Sequence, residues 1–128
     1  MAKRLGLLLV ALLAIVPYAA GAGERLAYER AAFDAALAKG GPVLLHVTAP
    51  WCSDCKAQKP VVEKLRNDPA FAALTVFELD YDTQKDGLKA FGVQRQATLV
   101  VFKGGKEVHR AVGVTRAPAI ESLVRKAL

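Results

Sequence analysis

From Gly23 onward, short apolar runs alternate with amphipathic stretches, which is how a sheet covered by helices is written in a sequence. Val43 to Thr48 is mostly apolar and partly β-branched, as suits a strand buried on both faces. Leu74 to Leu79 and Thr98 to Lys103 read as further strands. Gly104-Gly105 then predicts a hairpin turn into a returning strand from Glu107 to Val112. A short strand is expected near Arg25 to Tyr28. Between the strands the period lengthens to that of a helix. Glu29 to Lys39 predicts a helix that buries Phe33 and Leu37 at four-residue spacing and ends at Gly40-Gly41-Pro42. Ser53 to Asn67 predicts a second, with Val61, Val62 and Leu65 on one side; Pro60 removes a hydrogen-bond donor inside it and should kink it. Thr83 to Phe91 predicts a short third helix. The last carries Ile120, Leu123, Val124 and Ala127 at i, i+3, i+4 and i+7, a face that should close one side of the sheet.

The first sixteen residues follow a different rule. Lys3 and Arg4 precede an unbroken apolar run from Leu5 to Val16, followed by Pro17 and small residues ending Ala20-Gly21-Ala22. That is the layout of a secretory signal, with cleavage expected after Ala22. The run is shorter than the roughly 20 helical residues that cross a bilayer core, so no permanent membrane span is expected after cleavage, an uncleaved N-terminal anchor being the alternative. The expected organisation is a signal peptide over residues 1–22 and one α/β domain over residues 23–128, and the Ala-rich leader points to the bacterial periplasm. Charge adds little. The 18 Lys and Arg and 12 Asp and Glu are dispersed, with no basic stripe interleaved with aromatics, which excludes a nucleic-acid binder.

Cys52 and Cys55 carry the candidate chemistry. A crosslink stabilises mainly by closing a long loop in the unfolded chain, and two intervening residues close a very short one. The pair suits being made and broken. Haem attachment needs His after the second cysteine, where this chain has Lys56, and a structural zinc needs four ligands, for which no second Cys-x-x-Cys exists. Redox chemistry leads. Cys52 stands where a strand gives way to a helix, so unpaired backbone N–H groups and the positive end of the helix dipole should stabilise its thiolate, the attacking species. Cys55, one turn further on, should be less exposed and placed to displace the mixed disulfide. Cys52 is therefore read as nucleophile and Cys55 as resolving thiol.

Trp51-Cys52-Ser53-Asp54-Cys55-Lys56, Pro60 eight residues after Cys52, Phe102-Lys103-Gly104-Gly105-Lys106 and Gly113 before the last helix together resemble the thioredoxin superfamily, over nearly all of the chain after residue 22. The resemblance implies a thioredoxin fold: a central mixed sheet of four to five strands with helices on both faces. It also implies a client-binding surface around the Cys pair, with Trp51 and the loop Gln96-Ala97-Thr98 on it, and activity as a protein thiol–disulfide oxidoreductase without a bound cofactor or metal.

Three places depart from the family pattern. Ser53-Asp54 stands between the cysteines where thioredoxin has Gly-Pro; a carboxylate there disfavours the Cys52 thiolate and favours the disulfide, as in a reductant rather than an oxidant. Ala97 stands where the family carries a cis-proline, and a cis bond without proline costs about 3–4 kcal/mol. A trans Gln96–Ala97 bond and a shifted loop are expected. His46 occupies the place of the family's buried aspartate, and Glu78 that of its lysine partner, so a His46–Glu78 pair is a candidate for proton transfer during resolution. His109 is expected on the surface. The expected partners are protein thiol or disulfide clients and a membrane electron donor. Two readings of other classes stand beside this one: a metal-binding or metal-delivery module using the Cys52 and Cys55 thiolates, and a non-catalytic interaction domain.

Overall fold

The computed structural model describes residues 22–128; the leader before Ala22 lies outside the described residues. Five strands and four helices follow one another as β1 (Glu24–Ala27), α1 (Arg30–Ala38), β2 (Val43–Thr48), α2 (Ser53–Arg66), β3 (Thr75–Asp80), α3 (Lys85–Phe91), β4 (Thr98–Lys103), β5 (Lys106–Val112) and α4 (Ala117–Arg125), with a 3-10 turn at Pro69–Phe71 before β3. The sheet order is β1-β3-β2-β4-β5. The first three of these strands run parallel, and β4 and β5 run antiparallel to their neighbours. This is the mixed five-stranded form of the expected thioredoxin fold.

Alternation along β2 divides the core into two layers. Val43, Leu45 and Val47 join Phe33 of α1, Phe77, Leu79, Val100 and Phe102 on one face. Leu44 joins Val62 and Leu65 of α2, Leu99, Val101, Ile120, Leu123 and Val124 on the other. All six residues of β2 are buried, as its near-continuous apolar run requires of a central strand. The edge strands β1 and β5 are largely exposed, and His109 lies in β5 on the surface.

Local chemistry sets the ends of the elements. Glu29 caps α1 rather than opening it, its carboxylate accepting from the N–H groups of Ala31 and Ala32. The short third helix begins two residues later than its pattern suggested, because Asp80 Oδ1 accepts from the N–H groups of Asp82 and Thr83 and holds them in a turn. Gly104 and Gly105 both have positive φ, 59° and 78°, as a tight hairpin between right-twisted strands demands.

Candidate active site

The site forms where the parallel strand β2 ends and α2 begins. Cys52 is the N-cap of α2, and its sulfur accepts from the Cys55 N–H at 3.1 Å. Cys52 and Cys55 form a disulfide. Both are buried, Cys52 with 3 % exposure and Cys55 with none. Cys55 Sγ lies 3.8 Å from the Val47 carbonyl oxygen. In the reduced protein the N-cap position sets the helix dipole and a backbone donor against the Cys52 sulfur, which favours its thiolate.

Ala49, Ala97 and the half-buried Tyr81 pack around the disulfide. Trp51 is 57 % exposed beside it, its indole N–H shared between the two carboxylate oxygens of Asp82 at 3.0 and 3.1 Å and its ring edge-on to Tyr81. Those contacts fix an apolar surface next to the reactive sulfur. Ser53 is exposed and Asp54 half-buried in the first turn of α2, where the Asp54 carboxylate sits close over Gly113.

The Gln96–Ala97 bond is trans, there being no cis peptide bond among the described residues. The backbone accommodates this by placing Ala97 at φ 57°, a region that non-glycine residues seldom enter. Three hydrogen bonds hold it there. The Ala97 N–H donates to the Val47 carbonyl at 2.9 Å, and its own carbonyl accepts from the Gly113 N–H and from Gln58 Nε2, both at 3.0 Å. Thr98 is buried with its hydroxyl on the Arg95 carbonyl, and Gln96 is half-buried on the rim.

His46 and Glu78 stand opposite each other in the β2–β3 register, but they do not form the expected pair. Glu78 reaches instead toward β1, where Arg25 donates to its carboxylate at 3.1 and 3.2 Å. The reason is reach: Arg25 spans the sheet edge with a long side chain, while the His46 ring is turned toward α2 by a different partner. That partner is Gln58, whose Oε1 lies 2.9 Å from His46 Nε2. Burial pushes the His46 pKa below its ordinary value, against weaker upward pulls from Gln58 and from Glu78 through space. His46 is thus neutral in neutral solution. Gln58 was not legible in the sequence as a site residue; it is a polar residue in the buried stripe of α2, between Cys55 and Val62, and that break in the apolar pattern is the only signal it gives.

Among the described residues no group of three or more His, Cys, Asp or Glu side chains gathers to hold a metal ion, and no helix is long and apolar enough to cross a membrane.

Comparison with known proteins gives the same picture. The thioredoxin family profile matches residues 24–126. A thioredoxin of Chlamydia muridarum is 37 % identical over 86 residues, covering 67 % of this chain and 82 % of that one. Among solved structures, Trxlp of Edwardsiella tarda superposes with a TM-score of 0.77 at 40 % identity, covering 79 % of this chain and 98 % of that one. A point mutant of a Halobacterium salinarum thioredoxin superposes at 0.71 with 28 % identity, over 81 % of this chain and 90 % of its own.

Proposed function

The chain belongs to the thioredoxin family, and from that premise we propose that it works as an exported reductase of protein disulfides, recharged by a membrane-held dithiol donor. That it is a thiol–disulfide oxidoreductase rests on one observation above the others: Cys52 and Cys55 are joined at the N-terminus of α2, with the Cys55 N–H directed at the Cys52 sulfur.

In the reducing direction the Cys52 thiolate attacks one sulfur of a client disulfide. A Cys52–client bond forms, the client's S–S bond breaks, and the second client sulfur leaves as a thiolate that takes a proton from solvent. The Cys55 thiol then loses its proton and attacks Cys52 Sγ, closing the Cys52–Cys55 bond and releasing the first client sulfur. Two electrons pass to the client and the protein ends oxidised. A dithiol donor must return them. His46, held neutral by burial, is the group proposed to take up the Cys55 proton, with Glu78 biasing it through space rather than by contact. Trp51 and the backbone of Gln96, Ala97 and Thr98 are the proposed client surface, where an extended peptide can pair with the loop.

Asp54 supports the reducing direction, since a carboxylate in the first turn of α2, two residues after Cys52, weakens its thiolate and favours the disulfide. Export is supported by Lys3, Arg4, the apolar run Leu5 to Val16 and the small residues at Ala20-Gly21-Ala22. The deciding measurement is the reduction potential of the Cys52–Cys55 pair. A value at or below about −270 mV fits a reductase, and one near about −120 mV overturns the direction in favour of an oxidase. Cys55→Ser should accumulate a Cys52–client mixed disulfide, whereas Cys52→Ser should accumulate none; the reverse pattern would exchange their roles.

A further inference from the structure

The fully buried amide of Gln58 joins three separate parts of the site. Its Nε2 donates to the Ala97 carbonyl at 3.0 Å and to the Val114 carbonyl at 2.9 Å, and its Oε1 faces His46 Nε2 at 2.9 Å. An amide oxygen only accepts and an amide nitrogen only donates, while carbonyls only accept. The amide therefore has one workable orientation. Turned over, it would set its oxygen against two carbonyl oxygens and its NH2 group against the ring. With Oε1 facing the ring, His46 Nε2 must carry a hydrogen.

We propose that Gln58 is a positioning residue for disulfide exchange: it locks His46 as the Nε2–H tautomer, so that Nδ1 is the nitrogen that gains a proton, and with the same amide it pins the Ala97 and Val114 carbonyls of the two loops beside the Cys pair. The catalytic half of this rests on His46 being the proton acceptor; the tautomer and the loop anchoring do not. A proton arriving at Nδ1 leaves the Gln58 bond intact, because Nε2 is a donor in both charge states. His46 can therefore change charge without loosening the client loop. The charged groups around the ring are Glu78 from β3, Arg25 from β1, and Lys59 and Glu63 from α2, which with His46 line a small hollow at the sheet surface. Glu78 favours the protonated ring and Lys59 and Arg25 oppose it. Leu99 of β4 flanks it in the sheet register and carries no charge.

The tautomer needs no variant to test. Ring 15N spectra of the oxidised wild-type protein in neutral solution should show His46 with a protonated Nε2 and a bare Nδ1; a bare Nε2, or rapid averaging between the two forms, overturns the proposal. Gln58→Met keeps the length and removes all three bonds. It should release the ring to mixed tautomers and raise KM for a disulfide peptide about tenfold, the loss of roughly 1.4 kcal/mol of loop anchoring. Unchanged ring spectra and an unchanged KM would overturn it. If Gln58→Met does not fold, the wild-type spectrum alone decides. His46→Asn, which can still donate to Oε1, separates the two halves: normal mixed-disulfide resolution in that variant, with the Nε2–H tautomer present in the wild type, overturns the proton-acceptor reading and leaves the anchoring standing.

Discussion

Ala97 shows what a single residue does when it fills a place its family gives to another. Its φ of 57° suits glycine better than alanine, and its N–H is committed to the Val47 carbonyl at 2.9 Å. Proline can satisfy neither condition, since its ring fixes φ near −65° and it has no N–H. Ala97→Pro is therefore expected to destabilise the fold by about 2 kcal/mol or more, although proline is the family residue there. Ala97→Gly should stay within about 1 kcal/mol of wild type, because relief of the left-handed backbone offsets the buried methyl lost against the disulfide. Urea unfolding of both variants checks this, and a proline variant as stable as wild type would show that the loop readily moves to another conformation. At the same scale, the spacing of Cys52 and Cys55 left redox or metal chemistry open, and Lys56, the start of a helix and the resemblance to the thioredoxin superfamily selected redox. His46 was visible as a polar residue in an apolar strand, but not its partner: strand register puts Glu78 opposite, and only side-chain reach decides that Glu78 turns to Arg25 and His46 to Gln58.

At the scale of elements, strands and helices with strong periodicity fell where the pattern put them, and Thr98–Lys103 did so at both ends. Ends set by side-chain caps were shifted, as at Glu29 and at Asp80. The apolar faces of α1 and α4 were legible, but how closely one element approaches another was not. Gly87 in α3 is the case in point: a Cβ built there would lie 2.5 Å from Leu79 Cδ1 and 3.1 Å from Tyr28 Cε1. Glycine lets α3 settle against β3, where Leu79 is completely buried. Helix propensity alone predicts that Gly87→Ala gains about 1 kcal/mol. Overpacking costs about 1–3 kcal/mol, so the net expectation is a loss. A lowered Tm in a thermal melt is the expected result; a raised one would mean that the Leu79 side chain swings aside without cost.

Across the whole molecule, the buried histidine ties stability to pH. Burial lowers the His46 pKa in the folded state below the ordinary value of 6.5, so below that value the unfolded chain binds more protons at this position than the native one. Stability then rises with pH across that interval. Its contribution is complete above about 6.5, the unfolded value, and is lost as pH falls from there through the native value. The exposed Arg25–Glu78 pair adds little of its own, being partly solvated. The comparison that isolates His46 is between wild type and His46→Asn, which removes the titration while keeping a donor for Gln58 Oε1, so that other ionisable groups cancel. Between pH 7.5 and 5 the wild-type urea midpoint should fall more steeply than that of the variant. Parallel slopes would mean that the ring gains its proton as readily in the folded protein as in the unfolded chain, and that the sheet opens to water at His46 without unfolding.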